Sequence, residues 1–240
     1  MPAEGWLSAQ ANQPPPPKGA VSMSQKTIVL ANGTLDDPAA LRKRLMAWGE
    51  AEVIAADGGA RLAASLGLQP EIVIGDLDSL DPQDRQTLSQ AGVRLQASPA
   101  DKDETDLELA LRLAVAGGAE QVAVLGALGG RLDMTLANLL LLADDRLAGV
   151  QVQLWHGEQT AWIIRPPGGE LLGQVGDTLS LIPLGGPAAG ITTHNLAYPL
   201  LDETLSVGPA RGLSNVIRVA PASVRLAAGR LLAVHTPGRA

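Results

Sequence analysis

The sequence has no cysteine and no phenylalanine, a single tyrosine and only three histidines in 240 residues. Without cysteine there can be no disulfide, no thiolate nucleophile and no zinc–sulfur site. The histidines, His156, His194 and His235, are not spaced as metal ligands. Few aromatic side chains are available to stack on bases, and a net charge of −7 opposes a polyanionic partner. We therefore expect no nucleic-acid partner.

Long apolar runs are also missing. The run at residues 136–143 is far shorter than the roughly 18 residues of a membrane-spanning helix. The N-terminus has no basic segment followed by an apolar run, which a secretory signal would need. We therefore expect a cytoplasmic protein without membrane contact. Residues 1–25 are rich in Ala, Gln, Ser and Pro, a composition that predicts a disordered tail.

The hydrophobic pattern divides the remaining chain into two parts. In residues 26–156, short continuous apolar runs alternate with helical segments, which predicts an α/β domain with a mainly parallel, Rossmann-like sheet. Asp103 is the predicted N-cap of the long helix that ends at Gly117. In residues 157–240, short alternating runs are separated by Gly and Pro, which predicts a C-terminal all-β sandwich domain.

Polar and glycine-rich segments recur at one predicted edge of the parallel sheet. In open parallel sheets, ligands bind outside the carboxyl ends of the strands. One such segment would mean little, because Asp and Gly also form turns. Five of them at the same edge predict a ligand site. These segments are residues 32–33, 57–59, 75–79, 101–106 and 126–133.

Asp76 and Asp78 are candidate metal ligands. In an extended segment, residues two apart point the same way, so both carboxylates would face one point. Adjacent carboxylates repel each other unless a cation holds them. Magnesium accepts one or two carboxylates together with phosphate oxygens and water. The alternative is that Asp76 caps a turn and Asp78 caps a helix.

Three further side chains suit a phosphate. Asp106 lies in the first turn of a predicted helix, an end that attracts anions and where a phosphate and its magnesium would meet. Lys102 would add a positive charge, although an exposed lysine is equally compatible. Gly130 allows close backbone approach, and Arg131 offers a bidentate fork. The segment at 129–133 is neither a Walker A loop nor a dinucleotide fingerprint, and the alternative is a plain turn.

In order and spacing, these segments resemble the thiamine pyrophosphokinase family from about residue 29 to residue 234. The matching motifs are ADGGA at 56–60, IGDLDS at 74–79, DKDETD at 101–106, GGRLD at 129–133, LIPL at 181–184, GITT at 190–193, LAYPL at 196–200 and GLSN at 212–215. Two positions depart from many bacterial relatives, with Met134 in place of His and Val216 in place of Glu.

The resemblance implies a homodimer, with active sites between subunits, that transfers pyrophosphate from ATP to thiamine. It implies catalytic roles for Asp76, Asp78, Asp106, Arg131 and Asp133, the first three as ligands of Mg²⁺. It implies that ATP contacts Asn32, Asp57, Gly58, Lys102, Thr105, Gly130 and Arg131. It implies that thiamine lies near Tyr198, Ser214, Asn215 and Asp133. Thiamine is a flat cation, so Tyr198, the only tyrosine, is a candidate platform for it.

Two other functions remain open at this level. One is a pyrophosphokinase for another hydroxymethyl compound, such as a pterin, and the β-rich second half opposes it. The other is an inactive sensor of thiamine or nucleotide, which the intact set of aspartates opposes. A carboxylate such as Asp106 or Asp133 is a candidate to accept the proton of the thiamine hydroxyl, and the sequence does not distinguish between them.

Overall fold

The computed structural model describes residues 25–99 and 101–238, so the tail predicted over residues 1–25 lies outside the described residues apart from Gln25. Its α-helices are α1 (Pro38–Trp48), α2 (Gly59–Leu66), α3 (Pro82–Gln90), α4 (Asp106–Ala116) and α5 (Leu132–Leu141). Its strands are β1 (Lys26–Leu30), β2 (Glu52–Ala56), β3 (Ile72–Gly75), β4 (Arg94–Ala97), β5 (Gln121–Leu125), β6 (Gln151–His156), β7 (Gln159–Ile164), β8 (Gly168–Leu171), β9 (Thr178–Pro183), β10 (Ala188–His194), β11 (Glu203–Leu205), β12 (Asn215–Val216), β13 (Ala222–Arg225) and β14 (Leu231–Thr236).

The strands form two sheets. The larger has the order β12-β9-β14-β7-β6-β5-β1-β2-β3-β4, and β1 to β6 pair in parallel within it. The smaller has the order β11-β10-β13-β8 and is antiparallel. This confirms the predicted fold class, an α/β N-terminal half followed by antiparallel β-sheets.

The larger sheet runs without a break across the predicted domain boundary at residue 157. A hairpin joins β6 to β7, with His156 opposite Gln159, and β14, β9 and β12 continue the same sheet. Ala161 and Leu232, from the second half, belong to the same apolar cluster as Leu111 of α4. Four strands of the second half therefore extend the parallel sheet, while the other four form the smaller sheet.

Local signals set where the helices begin. Asp37 and Asp81 precede Pro38 and Pro82 and cap α1 and α3; each accepts a hydrogen bond from a backbone N–H of the first turn. The prediction that Asp103 caps α4 is wrong. The cap is Thr105, whose hydroxyl accepts from the Glu108 N–H at 3.2 Å.

The parallel half is covered on both faces. On one face, α4 buries Leu107, Ala110, Leu111 and Ala114 against the sheet, which places Asp106 at the sheet edge. On the other face, α1 and α2 cover a cluster that contains Trp155. Among the described residues, no helix combines the length and the hydrophobicity needed to cross a membrane.

Candidate active site

The loops after β1 and β5 are joined at the carboxyl edge of the parallel sheet. The chain runs from β1 outward to β4 and returns on the other side of β1 as β5, so the crossover opens a crevice at this point. The Gly33 N–H donates to the Gly126 carbonyl at 2.7 Å, and the Thr34 N–H donates to the Leu128 carbonyl at 2.8 Å. A cavity of about 500 Å³ lies beside these loops.

Glycine is required where the loops approach one another. A Cβ on Gly33 would lie 2.4 Å from the Gly126 carbonyl oxygen. A Cβ on Gly75, which has a φ of +153°, would lie 3.0 Å from side-chain carbons of both Asp57 and Asp106. The backbone after β3 therefore approaches two carboxylates closely, and a larger residue would move them apart.

Three carboxylates converge at this edge. Asp57 follows β2, Asp76 follows β3, and Asp106 is the first residue of α4. One oxygen from each lies within 4.8 Å of the other two. Asp57 is 5% exposed, and its Oδ1 is buried without a hydrogen-bond partner among the described residues. A buried, unpartnered carboxylate oxygen between two other carboxylates fits a cation ligand. Without a cation, leaving such a group unpaired destabilises the fold by ~1–3 kcal/mol, and by more when the group is charged.

Lys102 supplies the positive charge nearest to the three acids. Its ammonium lies 2.8 Å from Asp106 Oδ1 and donates to the Pro99 carbonyl at 3.2 Å, and its side chain is 13% exposed. The carboxylate of Asp106, 2.8 Å away, raises the pKa of Lys102 against the opposing effect of burial, and the charges of Asp76 and Asp57 raise it further. Among the described residues, no other cation forms an ion pair with any of the three acids.

Asp78 lies outside this group. The prediction of an extended backbone through residues 76–78 is wrong, because Leu77 has a φ of +60° and so breaks the alternation of side chains. Asp78 is exposed, and its N–H donates to Asp76 Oδ1 at 3.1 Å. Asp57, assigned to the nucleotide from the resemblance, stands with Asp76 and Asp106 instead. Ligation of a metal by Asp78 stays a prediction.

Arg131 and Asp133 form an exposed ion pair on the cavity rim. The guanidinium donates to both carboxylate oxygens, from Nε at 3.1 Å and from Nη2. These hydrogen bonds lower the pKa of Asp133, together with a bond from the Met134 N–H, and they raise the pKa of Arg131. Both side chains are largely in solvent, 74% and 64% exposed, so the pair contributes little to stability.

The other residues assigned to ATP surround the cavity to different degrees. Asn32, Thr105 and Gly130 line it, together with Asp57 and Arg131. The Thr105 hydroxyl also serves as the cap of α4, so one of its two acceptor positions is occupied, while its O–H can still donate. Gly58 does not line the cavity, but a Cβ at this position would meet the side chain of Asn32, which does, at 2.4 Å.

Asn138 has a role that the sequence did not predict. It is the one fully buried residue of α5, and its Nδ2 donates to the Ala127 carbonyl at 2.7 Å. This bond ties the middle of the helix to the glycine loop that borders the cavity. A polar residue within the apolar run at residues 136–143 was the available signal.

Of the four residues assigned to thiamine, Asp133 lies at the cavity rim, whereas Tyr198, Ser214 and Asn215 lie at the far end of the larger sheet. Asn215 begins β12, the edge strand, and it is buried, while Ser214 and Tyr198 are exposed. From β12 to β2 there are seven strand spacings, which at about 4.8 Å each amount to roughly 30 Å. Within one chain, these three residues therefore do not meet Asp57.

Comparisons with known proteins agree with this architecture. The family model "Thiamin pyrophosphokinase, catalytic domain" matches residues 45–154, and the model "Thiamin pyrophosphokinase, vitamin B1 binding domain" matches residues 168–231. Thiamine pyrophosphokinase 1 of Oryza sativa subsp. japonica is 26% identical over 237 residues, covering 88% of this chain and 87% of its own. Thiamine pyrophosphokinase of Bacillus subtilis is 26% identical over 185 residues, covering 76% of this chain and 86% of its own.

A solved structure shows the same fold. The crystal structure of thiamine pyrophosphokinase from Bacillus subtilis superposes with a TM-score of 0.77 at 22% identity, covering 88% of this chain and 99% of that one. The two family models lie in the order of the two halves of this chain and describe consecutive domains of a single enzyme. The chain belongs to the thiamine pyrophosphokinase family.

Proposed function

We propose that this protein transfers a pyrophosphoryl group from ATP to the hydroxyl of thiamine, giving thiamine diphosphate and AMP, at the cavity beside Asp57, Asp76 and Asp106. The observation that carries the proposed site is the buried, unpartnered Oδ1 of Asp57, which lies among carboxylate oxygens at the edge where parallel sheets bind ligands. Glycine loops and Arg131, which suit phosphates, border the same cavity.

The three carboxylates fit Mg²⁺ as its protein ligands. Their oxygens are hard donors, and together with Lys102 they leave a net negative charge that a divalent cation would offset. Asp78, exposed two residues beyond Asp76, is a further candidate ligand. Bound with ATP, Mg²⁺ would neutralise phosphate charge and so favour pyrophosphoryl transfer.

The chain's own residues position the reactants. In the reaction, the thiamine oxygen forms a bond to the β-phosphorus while the bond from that phosphorus to the oxygen of AMP breaks. Such a transition state needs alignment and charge stabilisation more than covalent help. Arg131 has the fork geometry to bind two phosphate oxygens, and Gly130, with a φ of +70°, allows the backbone to approach them.

Asp106 suits the proton of the thiamine hydroxyl better than Asp133 does. The ion pair with Arg131 lowers the pKa of Asp133, which makes this carboxylate a weaker base. Asp106 lines the cavity, whereas Asp133 is exposed at its rim. We therefore assign the proton to Asp106, with Asp133 as the residue that holds Arg131 at the rim.

We propose that the active enzyme is a homodimer whose sites lie between protomers. Because seven strand spacings, roughly 30 Å along the sheet, separate β12 from β2 in one chain, we infer that a second copy supplies the thiamine side. Two apolar surfaces are available for the contact. One is the outer face of α5, with Leu132, Leu136 and Leu140 exposed at four-residue intervals. The other surrounds Tyr198 and includes Leu201, Leu213 and Val219.

The activity is tested by incubating the protein with ATP, Mg²⁺ and thiamine and measuring AMP and thiamine diphosphate. A hydroxymethylpterin in place of thiamine should give no AMP. Binding of thiamine without formation of AMP would indicate a sensor and overturn the proposal. Asp57→Asn is the matched inactive control. A cytoplasmic location remains a prediction of the sequence.

The shared site is tested by complementation. A chain carrying Asp57→Asn is mixed, under conditions that exchange protomers, with a chain inactivated on the thiamine side by Ser214→Tyr. If each site takes residues from both protomers, the mixed dimer contains one intact site and activity returns. Activity that stays at the level of the two separate variants would place the whole site in one chain.

A further inference from the structure

The position of Lys102 indicates more than a contact with ATP. Its ammonium is 2.8 Å from Asp106 Oδ1, and its side chain is 13% exposed, so this ion pair is largely shielded from water. The Pro99 carbonyl, 3.2 Å away, holds the ammonium from the other side. One positive charge thus stands beside three carboxylates whose oxygens lie within 4.8 Å of one another.

We propose that Lys102 is a resident counter-ion that competes with the metal for Asp106, so that metal binds tightly only together with the phosphates of a nucleotide. This inference rests on the proposed metal site. Without nucleotide, the ammonium offsets part of the repulsion among Asp57, Asp76 and Asp106 and opposes a second cation. When phosphates enter, they offer the ammonium new oxygen partners, and Asp106 is released to the metal.

The arrangement explains how three acids can lie close together at the edge of the parallel sheet, in a site that also has to bind a polyanion. Asp57 Oδ1 has no hydrogen bond among the described residues, so the acids depend on nearby cations for compensation. A lysine on the adjoining turn, four residues before Asp106, is long enough to reach the acids and also to turn toward the cavity. Lys102 is therefore a positioning residue that couples two binding events.

The test measures metal binding without turnover. Free Mn²⁺ is followed by electron paramagnetic resonance as it titrates wild type and Lys102→Gln, with no nucleotide present. We expect Lys102→Gln to bind Mn²⁺ at least about tenfold more tightly, because a positive charge next to the site has been removed. Adding α,β-methylene-ATP should tighten Mn²⁺ binding strongly in wild type and much less in the variant.

Two control variants separate charge from packing and from general electrostatics. Lys102→Arg keeps the cation, so its Mn²⁺ affinity should stay within about threefold of wild type. Lys43→Gln makes the same change of net charge as Lys102→Gln, but on an exposed part of α1, and should leave the Mn²⁺ affinity unchanged. If Lys102→Arg binds Mn²⁺ as tightly as Lys102→Gln, the competition by charge is refuted. Lys102→Met provides the same readout if Lys102→Gln does not fold.

Thermal unfolding gives an independent readout. In EDTA, Lys102→Gln should melt below wild type, since three acids are left without their cation, and saturating Mn²⁺ should close that difference. An equal deficit in both conditions would refute the proposal.

Asp57→Asn separates a failure of the proposed metal site from a failure of the role of Lys102. If it leaves Mn²⁺ binding intact, the proposed metal site is wrong; if it abolishes binding while Lys102→Gln binds as wild type does, only the role of Lys102 is wrong.

Discussion

The side chain of Asn215 is hydrogen-bonded to both backbone polar groups of Tyr198. Its Nδ2 donates to the Tyr198 carbonyl at 2.7 Å, and its Oδ1 accepts from the Tyr198 N–H at 2.9 Å. The same Oδ1 accepts from the Val216 N–H at 2.9 Å. The amide therefore holds the segment around Tyr198 against β12. These hydrogen bonds favour a structural role for Asn215 over the direct contact with thiamine that the resemblance implied.

Asn215→Ala should lower stability and weaken thiamine binding together. The change leaves two backbone N–H groups and one carbonyl without partners in a part-buried place, which costs about 1–3 kcal/mol. Chemical denaturation and the thiamine KM measure the two effects. Ser214→Ala, an exposed neighbour, is the control and should keep the stability of wild type. Unchanged stability in Asn215→Ala would show that these bonds contribute nothing.

Tyr198→Ala should raise the KM for thiamine without affecting stability. The ring is 58% exposed, so little burial is lost, while an aromatic face over a cationic ring contributes about 0.5–2 kcal/mol. The KM for ATP should hardly move. Equal changes in both constants would show that Tyr198 acts through the scaffold and not as a platform.

Asp57→Asn and Asp78→Asn should both lower turnover by two or more orders of magnitude, since each factor of ten corresponds to ~1.4 kcal/mol of lost transition-state stabilisation. Their effects on stability should differ. Asp57 is buried beside two other acids, so its neutralisation should raise the melting temperature in EDTA. Asp78 is exposed, so the melting temperature of Asp78→Asn should stay at the wild-type value.

Near-normal turnover of Asp78→Asn at saturating Mg²⁺ would remove Asp78 from the metal site and leave the group of Asp57, Asp76 and Asp106. Near-normal turnover of Asp57→Asn would contradict the proposal as a whole. Each variant is compared with wild type at the same Mg²⁺ and ATP concentrations.

Arg131→Lys should lower kcat/KM for ATP by about ten- to a hundredfold while stability stays unchanged. A lysine keeps the charge but not the two-pronged donor, and exposed ion pairs contribute at most about 1 kcal/mol. Arg225→Lys, at an exposed position of β13, makes the same replacement away from the cavity and should behave as wild type. A loss of stability comparable to the loss of activity would argue against direct contact with phosphate.

Asp177→Asn should remove part of the sensitivity of the protein to acid. Burial by itself would raise the pKa of Asp177, but the hydrogen bond with His235 and those from the Gln174 and Gly238 N–H groups outweigh burial and lower the pKa. A depressed carboxyl pKa stabilises the fold above the unfolded pKa, and this contribution is lost as pH falls through the folded pKa. The variant should melt well below wild type at pH 7, with a smaller difference near pH 3, as measured by calorimetry.

Much of this protein was determined by the sequence alone. The alternation of apolar runs and capped helices was sufficient to predict the α/β half, because Asp-Pro caps and buried parallel strands depend on local chemistry and hydrophobic patterning. The ordered motifs indicated the family, and the polar residues after β2 and β3 indicated the site. These signals lie within short segments, so they can be recognised without knowledge of the contacts between those segments.

Only the tertiary structure decided the remainder. The left-handed backbone at Leu77 turned Asp78 away from the pattern that alternation predicted, and the pairing of β2 with β3 brought Asp57 to Asp76. Sequence also could not show that β14 and β9 extend the parallel sheet, because an alternating strand pairs equally well in either sheet. Which carboxylates meet, and how far along the sheet the residues assigned to thiamine lie from them, depend on strand order. Strand order is fixed by packing between residues far apart in the sequence.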